Sequence, residues 1–565
     1  MRRPYGWWLT LALASPAAAE PIFVDRAAEL GLSFVHFNGM SGKLYFAENM
    51  GSGVALFDYD GDGDLDAFLL QGAMLETGKG PAEAVIPPRE EMLPLSDRLF
   101  RNDLIRRADG TLEPRFVDVT MAAGLLEEDY GMATAVGDAD GDGFTDLWVG
   151  NLGADRLWRN NGDGTFSDWT AKAGVSDRDW STAGTFFDAD GDGDADLFVA
   201  NYVAWSVAGH KGCYSPAGAP DYCHPHAFEP APDRLYRNRG DGRFEEVSDE
   251  AGIATQAGRG LGALALDVEG DGDVDLYVAN DEGPNFLWLN RGGGRFEETA
   301  LLAGCALSEA GATEASMGIA VGDVDSDLDL DLLVTNRSTE GHTLYLNESG
   351  GLFRDGSVAS GLKAASLPFT GFGAGFLDYD GDGRLDLFVA DGEVQRIETQ
   401  MAAGSSYPLA QTHQLFHQEA GGAFRDVSRQ AGEPFERPEV GRGAAFGDVD
   451  NDGDTDLLLA TSSGPARLLI NQVGQNAPWL GVSARLPSGA PAAGTTLMLH
   501  AGSRQSLALV HQDGSYASAS DGRVTFGLGG ATQDRPAIEV RRSAGKRLRV
   551  WPSGAGFYLV VTVAP

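Results

Sequence analysis

The sequence predicts an all-β fold, a seven-bladed β-propeller followed by a small C-terminal β domain, and three observations carry that prediction. An acidic D-x-D-x-D-G-x-x-D loop recurs seven times. Each copy sits between the same strand-like segments. The strand pattern that ends each unit occurs first near the N-terminus, where it can complete the last unit.

The loops begin at Asp58 (DYDGDGDLD), Asp138 (DADGDGFTD), Asp188 (DADGDGDAD), Asp267 (DVEGDGDVD), Asp323 (DVDSDLDLD), Asp378 (DYDGDGRLD) and Asp448 (DVDNDGDTD). A Gly/Ala-rich apolar segment such as GMATAVGD precedes the loop, and an alternating one such as DLWVGN or DLFVAN follows it. Both have strand character. A third segment comes later, RLWRN at 156–160, RLYRN at 234–238 or TLYLN at 343–347. After a Gly-rich turn comes a fourth, FSDWT at 166–170, FEEVS at 244–248 or FEETA at 296–300. Each unit therefore reads as a four-stranded antiparallel meander, and repetition of such units points to propeller blades. A calcium-binding β-helix would need nonapeptide periods, which the chain lacks.

Closure has its own signal. The fourth-strand pattern stands at Phe23-Val24-Asp25, ahead of any acidic loop, while the last unit runs out after RLLIN at 467–471. The N-terminal strand can thus finish the final blade and leave no open edge.

The carboxylates at loop offsets 0, 2, 4 and 8 are the candidate metal ligands: Asp58, Asp60, Asp62 and Asp66; Asp138, Asp140, Asp142 and Asp146; Asp188, Asp190, Asp192 and Asp196; Asp267, Glu269, Asp271 and Asp275; Asp323, Asp325, Asp327 and Asp331; Asp378, Asp380, Asp382 and Asp386; Asp448, Asp450, Asp452 and Asp456. A tight turn brings these hard oxygen donors around one cation, which points to Ca2+, up to seven ions in a structural role. Four carboxylates about 5 Å apart in water repel by ~0.8 kcal/mol per pair, or ~5 kcal/mol per loop, a penalty a divalent ion removes. An EF-hand would place Glu at offset 11 on a helix, but Leu69, Val149, Val199, Val278, Val334, Val389 and Leu459 stand there, in strands. Glu269 in the fourth loop and Leu328, in place of glycine, in the fifth are expected to weaken binding at those two.

Composition agrees. The chain has 565 residues and 77 glycines, but its 43% hydrophobic content is that of a folded protein, so the glycines mark turns. A net charge of −41 argues against nucleic acid or an anionic membrane as partner and makes cations the natural counterpart. Arg2 and Arg3, an apolar run and Ala17-Ala18-Ala19 have the order of a secretory signal over residues 1–19, cleaved after Ala19. Export is expected, to the outside of the cell or, in a bacterium, to the periplasm or cell envelope. No later apolar stretch could span a membrane as a helix. The expected organisation is a signal peptide at 1–19, the propeller at 20–475 and the β domain at 476–565.

Of three cysteines, Cys213 and Cys223 share one loop, and export permits a disulfide between them. The adjoining Cys223-His224-Pro225-His226 also invites zinc, although its spacing matches no common finger, and free thiols remain an alternative.

In a meander of this parity the acidic loops emerge on one face, and the connections between second and third strands on the other. The long insertions at 71–97, 202–232 and 391–413 belong to that second face, the candidate binding surface for an extracellular protein or glycan. Trp205, His210, Tyr214, Tyr222, His224, His226 and Phe228, with Tyr407, His413 and His417, are either contact residues or packing for the loops. Arg239-Gly240-Asp241 lies where other units have a turn, and is read as one. No nucleophile elbow, H-E-x-x-H helix or phosphate loop is present, so a non-enzymatic scaffold is expected, with a lectin-like module or carbohydrate-directed enzyme as the alternative.

Several stretches carry a resemblance: FVHFNGMSGKLYFAENMGSGVALFDYDGDGDLD (34–66), LYRNRGDGRFEEVSDEAGI (235–253), Tyr222-Cys223-His224-Pro225, NAPWLGVSARL (476–486) and SYASASDGRVTFGLGGA (515–531). On these the chain resembles the FG-GAP/VCBS-repeat propellers, and specifically the ASPIC/UnbV-domain proteins related to cartilage acidic protein. Integrin α-subunit propellers look similar at the loops, which implies a calcium face opposite a ligand face. The family pattern V-x-W-P-S-G is altered, with Val540-Arg541-Arg542-Ser543-Ala544-Gly545 in its place and Trp551-Pro552-Ser553-Gly554 following.

Overall fold

A computed structural model describes residues 21–175, 177–529, 536–542 and 546–564. The expected signal segment at 1–19 lies outside the described residues. The chain is all-β, and the second repeat shows how a unit is made. Strands Gly131–Gly137, Asp146–Asn151, Arg156–Asn160 and Phe166–Asp168 form one antiparallel sheet in sequence order, and the acidic loop turns the first into the second, pairing Gly137 with Asp146. A one-turn helix, Thr170–Ala173, ends at Gly174 in the left-handed region and leads into the next unit.

Among the described residues there are seven such four-stranded sheets. Their first strands are Val54–Phe57, Gly131–Gly137, Ser181–Phe187, Gly260–Leu266, Ile319–Gly322, Gly371–Leu377 and Gly441–Gly447. Each lies against the next, and the last lies against the first, which makes a closed β-propeller. The seam is the predicted one: Phe23–Asp25 pairs antiparallel with Arg467–Asn471, in the register Phe23 to Asn471. Arg467 also holds Asp25 at 3.0 Å.

The Gly/Ala bias of the first strands follows from crowding around the axis. A Cβ on Gly137 would stand 2.6 Å from the Phe186 ring of the neighbouring sheet. The apolar residues accordingly pack as seams between sheets, for example Phe57, Phe68 and Leu99 against Val136, Leu147 and Trp158.

The C-terminal residues form two more sheets around one core of Leu480, Val482, Leu497, Leu499, Phe526, Ile538 and Val540. One sheet orders Val524–Gly527, Trp479–Arg485 and Tyr558–Thr562; the other orders Arg504–Val510, Thr495–Ala501, Ala537–Arg542 and Lys546–Val550. Val540–Arg542 ends one strand, and Trp551 follows another, largely exposed. Residues 543–545 lie outside the described residues.

Between these sheets, residues 513–521 enter the centre of the ring and touch all seven first strands. Ser515 and Ile319 exchange two backbone hydrogen bonds, and Ala519 bridges Val54 and Leu56. Thr134 donates to Ala517, Gly514 donates to Ala263, and the Ser515 hydroxyl donates to Ala444. Asp513 accepts from the Thr185 hydroxyl, and Tyr516 packs edge-on against Phe372 at 4.8 Å. The opposite mouth is closed by residues 46–50 and the insertions. Phe46 packs on Trp180, Tyr202 and Phe228. The wholly buried Arg442 donates to the carbonyls of Asn49, Gly392, Gly441 and Glu393. No helix among the described residues is long and apolar enough to cross a membrane.

Candidate metal centres

The acidic loops share one geometry, set by backbone donors. The offset-0 carboxylate accepts the N–H of the offset-5 residue, as in Gly63 to Asp58 at 3.2 Å and Gly193 to Asp188 at 3.1 Å. The offset-4 carboxylate accepts the N–H two residues on, as in Phe144 to Asp142 at 3.0 Å. In the fifth loop Leu328 takes the glycine's place with φ at 76°, a left-handed conformation that costs a leucine free energy. These turns converge the acids: one oxygen each of Asp58, Asp60 and Asp62, of Asp138, Asp140 and Asp146, of Asp188, Asp190 and Asp192, and of Asp323, Asp325 and Asp331 lie within 4.8 Å of one another.

The offset-8 aspartates do a second job. In every unit one oxygen accepts the backbone N–H of the offset-1 residue, and the other accepts the N–H at the end of the third strand at 2.7–2.8 Å. Asp66, Asp146, Asp196, Asp275, Asp331, Asp386 and Asp456 thus staple the loop to its sheet, buried at the first position of a strand. Burial, opposed by those donors and reinforced by neighbouring acids, pushes Asp146, Asp275 and Asp331 up to about 8 and Asp386 to about 9.

Whether the loops suit a cation can be tested on their own oxygens. Buried carboxylate oxygens without any hydrogen-bond partner occur in five of the loops, on Asp60, Asp138, Asp190 and Asp378 and, in the seventh loop, on both Asp450 and Asp454. An unpaired buried carboxylate oxygen is costly, and a divalent ion supplies the missing partner. The donor set therefore fits a hard cation. Among the described residues the fourth and fifth loops, which carry Glu269 and Leu328, have no such oxygen.

Three features of these centres went unread in the sequence. Arginine at the fourth position of the third strand faces the loop: Arg159 pairs with Asp140 and Asp142, and Arg237 with Asp190 at 3.3 Å. Its counterpart in the sixth unit is His417, 3.1 Å from Asp386 and beside Asp380. His417 therefore belongs to the acidic-loop face; its placement with the insertions is corrected, because strand Gln414–Gln418 carries it to the other end of the sheet. The strand-ending amides are the third feature. Asn160 donates to the offset-1 carbonyl of the preceding unit, Tyr59, at 2.7 Å; Asn238, Asn290, Asn347, Gln418 and Asn471 repeat the contact to Ala139, Ala189, Val268, Val324 and Tyr379.

The C-terminal sheets lie over this same face. The Tyr558 hydroxyl donates to Asp448 at 2.8 Å, and Arg523 reaches the Asp448 carbonyl at 2.9 Å. Arg504 donates to the Gly383 carbonyl, and Leu507 to Asp323 at 3.3 Å.

On the other face, Cys213 and Cys223 are bridged, whereas Cys305 is buried and free. The insertion aromatics largely pack the loops down: Tyr222, Phe228, Tyr407 and His413 are buried, and Trp205 and His210 close around Tyr45. Tyr214 stays exposed. Arg239 closes a turn through its N–H to the Arg243 carbonyl.

The FG-GAP-like repeat family model matches residues 138–199, 227–278, 267–334 and 327–389. The chain is 26% identical to human cartilage acidic protein 1 over 342 residues, 58% of this chain and 46% of that protein. The mouse protein gives 26% over 343 residues, 58% and 47%. The match thus spans less than half the length of these relatives. Solved structures superpose loosely. A lectin of Agrocybe aegerita that recognises non-reducing terminal N-acetylglucosamine gives a TM-score of 0.35 at 18% identity over 66% of this chain and 89% of its own. YCF48 bound to D1 peptide gives 0.38 at 9% identity over 82% and 99%. With its recurring units and closed ring of sheets, the chain forms a β-propeller that carries FG-GAP-like repeats over part of its length and is similar to cartilage acidic protein 1.

Proposed function

We propose that this propeller is an exported, calcium-loaded binding scaffold without catalytic activity, whose insertion face meets a protein or glycan outside the cytoplasm. Calcium would be held by offsets 0, 2, 4 and 8 of the acidic loops and would serve to fix the sheets. The single observation carrying the reading is that the chain's own C-terminal sheets lie over the acidic-loop face through Arg504, Arg523 and Tyr558, which leaves the insertion face as the large unclaimed surface. The signal-like order of residues 1–19 supports export.

The test compares the calcium-replete wild type with Tyr214→Ala and Val85→Asp, two exposed insertion-face changes. Each is assayed on glycan arrays and in pull-downs from the native cell envelope, with and without chelator. Calcium-dependent capture of one partner, lost in the variants, is expected. Capture unchanged by both variants, or turnover of a polysaccharide by the purified protein, would overturn the reading.

A further inference from the structure

Away from the acidic loops, three side chains with metal-binding atoms meet on the insertion face. Nδ1 of His224 lies 3.1 Å from Oε1 of Glu282, and Nε2 of His226 lies 3.2 Å from Oε2 of the same carboxylate. We infer that His224, His226 and Glu282 form a binding site for a zinc-class divalent cation, separate from the calcium loops.

The distances suit that ion. Ligands 2.0–2.1 Å from a tetrahedral zinc stand about 3.3 Å from one another, close to the two separations observed. Two imidazoles with one carboxylate are also the donor set of a borderline metal rather than of calcium, which takes oxygen.

The ligands sit on restrained backbone. The Cys213–Cys223 bridge anchors the chain one residue before His224, and the buried Pro225 opens the short helical turn Pro225–Ala227 that carries His226. Glu282, its side chain only 13% exposed, comes from the next sheet's connection and is held by Arg337 at 3.0 Å.

Outer partners are in place as well. Nε2 of His224 lies 2.7 Å from the side-chain amide of Gln395, which belongs to a third insertion. The Gln395 amide presents its nitrogen there and donates to Nε2, which leaves the proton on Nδ1 toward Glu282. A metal on Nδ1 displaces that proton, and turning the amide to present its oxygen would then let Nε2–H donate to it, the arrangement a metal-bound histidine has. Both imidazoles are about half exposed, so a fourth position stays open to water or to a donor from a partner.

The full chain, stripped of metal and reloaded in saturating calcium, is titrated with zinc alone and its metal content measured. One zinc per chain beyond that kept by the double variant His224→Ala/His226→Ala is expected, with at least about tenfold weaker zinc binding in Glu282→Gln. Co2+ at one equivalent should give the visible bands of a four-coordinate nitrogen-ligated ion in the wild type, a readout that needs no variant. Zinc retained equally by wild type and double variant, which would put the ion elsewhere, such as at His417, overturns the proposal. Failure of wild type to hold zinc or to give the cobalt bands overturns it too, and leaves the cluster an ion-pair network. Neither result depends on the partner-binding assay.

Discussion

The side-chain amide of Asn102 donates to the backbone carbonyl of Val449 at 3.0 Å, across 347 residues of chain. It joins the first sheet to the last, and the same amide-to-carbonyl contact links every other neighbouring pair around the ring. Each carbonyl belongs to the offset-1 residue of an acidic loop, so the girdle ties the geometry of one candidate metal centre to the sheet beside it.

Cutting one link should therefore cost more than one ordinary hydrogen bond. Asn238 donates to the carbonyls of Ala139 and Ala195 and accepts from Gly240. Asn238→Ala strands these buried groups and is expected to lower stability by about 2–3 kcal/mol. Asn238→Gln should lose less, since Gln418 makes the equivalent contact to Val324. Urea midpoints in calcium decide it, and equal midpoints for alanine variant and wild type would remove the girdle from the account.

Calcium dependence should vary from loop to loop. Asp190 holds a buried oxygen without a partner, and Glu269, at the same offset in the next loop, is not among such residues. Asp190→Ala is expected to reduce bound calcium by one ion per chain and to lower the thermal midpoint by several degrees; Glu269→Ala should do less on both counts. In EGTA the wild type should melt at a markedly lower temperature, and the difference between wild type and Asp190→Ala should shrink. A wild-type melt indifferent to EGTA would refute structural calcium altogether.

What could be read from the sequence was what its residues arrange locally. Ligand spacing within nine residues, the alternation of DLWVGN and the missing fourth strand after RLLIN are all local, and the repeats and ring follow from them. Asn160 reads in the sequence only as the end of RLWRN, because its partner, Tyr59, is about a hundred residues away. His417 was misplaced for a related reason: its sequence neighbours belong to an insertion, but the strand runs away from that insertion. Glu282 offered no signal beside Cys223-His224-Pro225-His226, since only the ring brings the two connections together. The small residues of SYASAS gave no hint of a central plug, because small side chains become informative only once a narrow channel surrounds them.

A buried histidine sets an acid dependence. Nδ1 of His342 accepts the N–H of Asn336 at 3.2 Å, and burial, with Lys363 nearby, pushes the imidazole down to about 3. The unfolded chain takes up a proton near pH 6.5 that the folded one refuses, so this contribution is complete above pH 6.5 and is lost as the pH falls toward 3. The slope is about 1.4 kcal/mol per pH unit inside that window. His342→Asn keeps an acceptor for Asn336 without the titration. Its stability deficit relative to wild type should shrink by about 2 kcal/mol between pH 7 and pH 5. A constant deficit would mean that the imidazole titrates normally.

Tyr516 wedges the C-terminal segment into the ring, and the ring's stability should depend on it. Its side chain is 1% exposed, its hydroxyl donates to the Met50 carbonyl at 2.8 Å, and its ring packs on Phe372. Tyr516→Phe leaves the Met50 carbonyl without this partner and should cost about 1–2 kcal/mol. Tyr516→Ala opens a cavity where seven sheets converge and should cost about 3–5 kcal/mol. The same segment is the chain's main hold on the first strands from the C-terminal side, so the alanine variant should also expose the joint at 472–478 to protease before the propeller itself is cut. Ala519→Leu attacks the same packing from the other direction, with no room beside Val54 and Leu56, and should destabilise by about 1–3 kcal/mol through overpacking. Wild-type melting and wild-type protease resistance in both variants would show that the ring stands without its plug.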